Sequence, residues 1–225
     1  SPGILRKLLS FTLRVLNKLS IKFGFVFEFK LFKYSCDYYI RNGVMMDKDG
    51  LKKLEDCHAI LLGSVGMPSV ADHISLWGLL IPIRRAFDQY VNLRPVKSLK
   101  GIDSVLRDKK NIDYLIVREN TEGEYSDIGG IENKNQPDEF VFQKAIFSKK
   151  GTERIVNYAY ELAAKRKNKL TSATKSNGII HSMTYWDNIV DSISKKYPNV
   201  TTSRYHIDIL SAQIIKNPDW FDVIV

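Results

Sequence analysis

The chain has 225 residues, 44% of them hydrophobic and 11% aromatic. That is enough for a sizeable core in one large domain or two small ones. No window holds the roughly 20 uninterrupted apolar residues of a membrane span, so a soluble globular protein with no membrane partner is expected. The formal net charge of +9 leaves two readings, a nucleic-acid surface or a lysine-rich protein acting on an anionic substrate. The lysines are scattered, with short clusters at Lys109-Lys110, Lys149-Lys150 and residues 165–169, and no nucleic-acid-binding signature accompanies them. A small anion is therefore the expected partner and nucleic acid is not.

From Arg6 to Lys22 the chain is basic and free of acids, with Ile4, Leu8, Val15 and Leu19 on one helical face. A mitochondrial presequence reads this way. So does an amphipathic helix packed on a sheet, and the elements that follow favour the helix. Residues 25–32 (FVFEFKLF) alternate apolar and polar like a strand. A helix over residues 47–55 follows, with Asp47 as its expected cap. Residues 59–62 are a short apolar run entering Gly63-Ser64-Val65-Gly66, a buried strand leading into a loop. Residues 76–90 read as a helix in which Pro82 must lie in the first turn. Residues 114–117 are another buried strand.

Residues 123–150 are rich in Gly, Asn and charge and contain one alternating segment, 139–147 (EFVFQKAIF), which suits a projecting hairpin or arm. Residues 152–166 form an amphipathic helix with Ile155, Val156, Ala159 and Leu162 inward. Residues 170–175 read as a strand, 182–195 as a helix, 203–209 as a strand, and 221–225 (FDVIV) as a last buried strand. Strand–helix alternation predicts an α/β fold with a mainly parallel sheet. The two cysteines, Cys36 and Cys57, form neither a zinc pattern nor a redox pair, so free thiols in a reducing, cytoplasmic setting are expected.

Several residues could carry chemistry. Arg84 lies on the 76–90 helix, Arg94 in Asn92-Leu93-Arg94-Pro95, and Arg118 just after the 114–117 strand. A polar group at the carboxyl end of a parallel strand stands where α/β proteins place ligands, and arginine is the preferred fork for a carboxylate. Tyr125 follows close behind, Lys175 ends the 170–175 strand, and Asp208 closes Tyr205-His206-Ile207-Asp208. Taken singly, each has an ordinary structural explanation: surface ion pair, edge tyrosine, solvated lysine, capping aspartate.

Together these stretches resemble the isocitrate/isopropylmalate dehydrogenase family. The resemblance rests on Ile83-Arg84-Arg85 through Asn92-Leu93-Arg94-Pro95-Val96, on Val117-Arg118-Glu119-Asn120-Thr121-Glu122-Gly123-Glu124-Tyr125-Ser126, and on Thr174-Lys175-Ser176-Asn177. Ser35-Cys36-Asp37-Tyr38-Tyr39, Asp72-His73-Ile74-Ser75-Leu76-Trp77-Gly78-Leu79-Leu80 and His181-Ser182-Met183 look most like its tartrate/D-malate dehydrogenase branch. The resemblance implies an isopropylmalate-dehydrogenase-like two-domain fold. Residues 1–97 would belong to the large cofactor domain, and residues 98–225 to a smaller substrate and dimerisation domain with a β arm. Both termini are expected to be cut.

The implied reaction oxidises a small 2-hydroxy acid, D-malate or tartrate, with hydride transfer to NAD and loss of a carboxylate. A divalent Mg²⁺ or Mn²⁺ would assist, in a homodimer with shared active sites. On that resemblance Arg84, Arg94 and Arg118 would hold the substrate carboxylate, and Tyr125 would protonate the enol. Lys175 would accept the proton of the C2 hydroxyl of the partner subunit's substrate. Asn177 would orient substrate or nicotinamide, Ser75 would contact the cofactor, and Asp208 would be one metal ligand. The apolar stretch 76–82, with Trp77, lacks a Ser–Asn pair for a third carboxylate. That disfavours isocitrate and leaves isopropylmalate as an alternative substrate. The other metal ligands and the adenosine loop are expected beyond Val225, so the chain as given is expected to be inactive, and a regulatory or relic paralogue is the competing class.

Overall fold

A computed structural model describes residues 2–104, 106 and 112–225, with side chains from residue 9 onward. The expected placing of Ile4 and Leu8, and the Lys109-Lys110 cluster, lie outside the described residues. The chain forms two compact units, Ser1–Asp88 and Gln89–Val225.

The first unit is helix and loop. Helix α1 (Pro2–Phe23) is the expected basic helix. Val15 and Leu19 stay 43% and 38% exposed, and no ladder forms among the described residues of this unit. The two strands expected here, 25–32 and 59–62, are extended or irregular backbone instead. Alternation over 25–32 is real at the level of geometry. Phe25, Phe27 and Phe29 project to one side, with ring centres 5.0 and 5.4 Å apart. A strand also needs a neighbour for its N–H and C=O groups, and neither segment has one among the described residues.

Helix α2 (Cys36–Asn42) starts at Ser35, whose hydroxyl accepts the Tyr38 N–H. Helix α3 (Gly50–Glu55) begins at Asp49, later than expected. Asp47 does not cap it; its carboxylate is taken by Tyr34, Tyr38 and Lys53. The helix expected over 76–90 starts earlier, as α4 (Asp72–Ser75), continues through a π-helical turn (Leu76–Leu80) and ends as α5 (Ile81–Ala86). Pro82 explains the break. It has no N–H to give the preceding turn, and the wider turn lets the Ile81 N–H reach the Leu76 carbonyl one residue further back. Cys36, Met45, Leu54, Val70, Leu79 and Ile83 form the core of this unit.

The second unit is built on a sheet of five strands: β1 (Val91–Lys97), β2 (Asp113–Glu119), β5 (Lys169–Thr174), β6 (Thr201–His206) and β7 (Val223–Ile224). Their order across the sheet is β1-β2-β7-β5-β6, with β1 antiparallel to β2 and the other pairings parallel. The α/β fold with a mainly parallel sheet is the one the sequence predicts. Because β1 ladders with β2, residues 91–97 lie in the second unit. Strand β1 was not visible in the sequence; Pro95 cannot donate to a ladder and is tolerated because β1 is an edge strand.

Strand β2 buries Tyr114 on one face and Val117 on the other, and β7 does the same with Ile224 against Val223 and Val225, as side chains alternate along a strand. One face is covered by α6 (Lys149–Ala164) and α7 (Ser182–Ser194), which supply Ile155, Val156, Ala159, Tyr160, Trp186, Ile189 and Val190. The other face carries α8 (Ile207–Lys216) through Leu210, with Phe221 beside it. Helix α8 replaces the end of the strand expected over 203–209, because β6 stops at His206. The expected arm is a hairpin of β3 (Gly129–Glu132) and β4 (Phe140–Gln143), with both strands exposed.

Candidate active site

The carboxyl ends of the parallel strands collect the candidate residues. Arg118 lies near the end of β2, Lys175 directly follows β5, and Asp208 sits in the first turn of α8 just after β6. This is the edge at which open parallel sheets bind ligands.

On the β1–β2 side the ladder sets the geometry. Asn92 is directly opposite Arg118, and Arg94 is opposite Ile116. Residues facing each other across a ladder share a side of the sheet, as do residues two apart, so Asn92, Arg94 and Arg118 project to one side. The Arg94 Nε donates to the Asn92 side-chain oxygen at 3.2 Å. The Arg118 guanidinium carbon lies 5.2 Å from the centre of the Tyr125 ring, within the range of a cation–π contact. Arg94 is exposed, and Arg118 and Tyr125 are half-buried. This arrangement offers guanidinium forks to an anion beside a phenol.

On the far side of β7, the Lys175 Nζ donates to the Asp208 Oδ1 at 2.7 Å. That ammonium beside it holds the Asp208 carboxyl below the usual carboxylate range, helped by a backbone hydrogen bond. Asn177 is exposed in the turn after β5. Arg84 and Ser75 are carried by the first unit. Arg84 is half-buried on α5, and the buried Ser75 hydroxyl donates to the Asp72 carbonyl at 3.0 Å. Trp77, in the π-helical turn, has the Arg85 guanidinium 5.3 Å from its ring centre.

The described residues contain no group of three His, Cys, Asp or Glu side chains able to hold a metal ion. They fall short of a complete Mg²⁺ or Mn²⁺ site, which takes six or more oxygens in all. No helix among the described residues is long and apolar enough to cross a membrane.

Sequence reasoning missed the residues that hold this edge in shape. Glu119, Glu122, Ser148, Gly151 and Arg154 organise the stretch between Arg118 and Tyr125. The signal present in the sequence was Gly151, a glycine at the start of an otherwise strong amphipathic helix, where it weakens the helix unless something needs the space.

The family model "Isocitrate/isopropylmalate dehydrogenase" matches residues 4–225, and the chain belongs to that family. It is 47% identical to a tartrate dehydrogenase/decarboxylase of Pseudomonas putida, over 99% of this chain and 62% of the relative. It is 46% identical to a decarboxylating D-malate dehydrogenase of Escherichia coli, over 99% of this chain and 63% of the relative. The structure matches the crystal structure of isocitrate dehydrogenase from Methylococcus capsulatus with a TM-score of 0.74 at 25% identity, covering 85% of this chain and 55% of that one. The chain thus spans less than two thirds of the length of each of these relatives.

Proposed function

We propose that this chain is the substrate-binding part of a decarboxylating 2-hydroxy-acid dehydrogenase that uses NAD and a divalent cation and acts on D-malate or tartrate. The observation that carries the reading is the Arg118–Tyr125 pair, stacked at 5.2 Å on the side of the sheet that also presents Arg94. The names borne by relatives at 46–47% identity support it.

In this reading Arg94 and Arg118 bind a substrate carboxylate by charged hydrogen bonds. NAD would supply the hydride acceptor, and the cation would polarise the C2 oxygen. Asp208 would be one ligand of that cation; the described residues do not complete the site. Lys175, as the neutral amine, takes the proton of the C2 hydroxyl on the neighbouring subunit's substrate. To do so the ammonium bonded to Asp208 must first release a proton and turn to that hydroxyl. Tyr125 donates its phenolic proton to the enol carbon left by decarboxylation. Arg118 stays over the Tyr125 ring and holds the phenol within reach of the same carboxylate-bearing substrate. Asn177 orients substrate or nicotinamide. The Ser75 hydroxyl, which donates to the Asp72 carbonyl, keeps its lone pairs to accept a hydrogen bond from a cofactor. The exposed β3–β4 hairpin is the proposed dimerisation arm, and the free thiols of Cys36 and Cys57 suit a cytoplasmic setting.

The test is NADH formation, followed by near-ultraviolet absorbance, with the complete gene product, Mn²⁺, NAD and, in separate reactions, D-malate, tartrate and isopropylmalate. NADH with D-malate or tartrate supports the proposal. NADH with isopropylmalate alone moves the substrate, and no reduction with any of them, with NAD or NADP, overturns the activity.

A further inference from the structure

The segment joining Arg118 to Tyr125 is held by two carboxylates that the chemistry above does not use. Glu119 accepts hydrogen bonds from the Thr121 and Glu122 N–H groups and the Thr121 hydroxyl, each at 2.7 Å. Arg154, on α6, donates to that same hydroxyl at 2.8 Å, and its guanidinium lies 4.4 Å from the centre of the Tyr90 ring. Glu122 turns the other way, towards the start of α6. It accepts from the Ser148 N–H at 2.8 Å and the Ser148 hydroxyl at 2.5 Å. The Ser148 hydroxyl in turn accepts the Gly151 N–H at 2.9 Å. The carboxylate thus sits at the positive end of the helix dipole with its donors already aligned.

Two glycines fit this arrangement. A Cβ on Gly151 would stand 2.2 Å from the Glu122 carboxylate oxygen, so no residue with a side chain fits while Glu122 is in place. Gly123, next along, has φ +81°, a left-handed conformation glycine adopts freely, and its N–H reaches the Ile146 carbonyl at 2.7 Å. The loop is fastened on the α6 side by Glu122 and on the side leading to α6 by Ile146. Tyr125 follows immediately.

We propose that Glu122 is a positioning residue for Tyr125: by tying the loop after β2 to the N-terminus of α6, it keeps the phenol over Arg118. The inference rests on the proposed reaction, in which that phenol protonates the enol. Arg118 itself lies on β2 and is held by the ladder. Loss of Glu122 should therefore disturb the proton donor and spare the carboxylate grip. A capping role alone would instead lower stability and leave the kinetic constants of the folded enzyme unchanged.

The experiment compares wild type, Glu122→Ala, Glu122→Gln and Gly151→Ala in the complete gene product, by steady-state kinetics and by amide hydrogen exchange over residues 123–126. Gly151→Ala removes no polar group and displaces the carboxylate by bulk alone, so it decides the matter if Glu122→Ala does not fold. The expected result is a kcat lowered about 10- to 100-fold in Glu122→Ala and Gly151→Ala, as a small misplacement of a catalytic group produces. KM for the hydroxy acid should stay within about threefold, loop exchange should be faster, and Glu122→Gln should recover part of the loss. A kcat within about twofold of wild type in both variants overturns the proposal whatever the exchange shows, and so does a lowered kcat with unchanged exchange. A wild type that reduces no cofactor overturns the reaction on which the proposal rests, and is recognised before any variant is compared.

Discussion

The guanidinium of Arg118 is stacked on the ring of Tyr125, 5.2 Å from its centre. The contact uses the face of the ring. Phenylalanine keeps that face. Tyr125→Phe should therefore preserve the Arg118 contact and bind substrate with unchanged KM, while kcat falls about 100-fold or more through loss of the acid. Steady-state kinetics on the complete gene product check this, and unchanged turnover would remove Tyr125 from the mechanism.

Arg94 and Arg118 share a side of the β1–β2 ladder but differ in surroundings. Arg94 is exposed and donates sideways to Asn92. Arg94→Ala should leave the thermal midpoint nearly unchanged and weaken hydroxy-acid binding. A charged hydrogen bond contributes about 1.5–3 kcal/mol, so the dissociation constant should rise about tenfold to a hundredfold. Calorimetric titration with substrate measures it.

The opposite end of the sheet is fastened by Asp222, whose side chain is fully buried. It accepts the Arg166 Nε at 2.7 Å and the Lys167 N–H at 2.8 Å, while the same arginine reaches Asp113 at 2.9 Å. Removing Arg166 leaves the buried Asp222 carboxylate with the Lys167 N–H alone, and breaking a buried ion pair this way costs about 3–5 kcal/mol. Arg166→Ala should lower the urea midpoint accordingly. Asp222→Ala leaves Arg166 paired with Asp113 and should cost less, and the double variant should lose less than the sum of the two.

Asp47 gives a pH dependence confined to the first unit. Hydrogen bonds from Lys53, and then from Tyr38 and Tyr34, hold its carboxyl down at about 2. The folded value is below the unfolded one of about 3.9. The stabilisation is therefore complete above the unfolded value and disappears as pH falls through the folded one. Asp47→Asn should melt at a lower temperature than wild type near neutral pH, and the gap should close between about pH 4 and pH 2. A gap that persists at pH 2 would show that Asp47 acts through something other than its charge.

Much of the second unit was legible because its elements carry their own signal. The residues expected to face inward on α6 recur at helical spacing and are largely buried, and residues 114–117 and 221–225 are apolar runs too short for a helix. What could not be read depends on partners. Residues 25–32 alternate like a strand, and their phenylalanines do line up, yet pairing is a property of two segments. Residues 91–97 look like a loop because of Pro95 and become a strand only because β2 lies alongside. The candidate residues were found by matching separated motifs. Their fastening was not, since the bonds from Glu122 to Ser148, and from Arg154 to Thr121, join positions 26 and 33 residues apart with no periodic pattern between them.

Strand β7 has only two residues in its ladder, yet it lies between β2 and β5. Leu115 and Leu170 both align with Val223, so both halves of the sheet meet on a segment made after both. During synthesis the β1–β2 pair and the β5–β6 pair can each form early. They remain separate pieces, with β2 and β5 each presenting an open edge, until residues 222–225 leave the ribosome and slot between them. Such long-range closure is slow. A nascent chain halted before Phe221 should therefore be a good client for chaperones that shield unpaired strands, and one extended past Val225 a poor one.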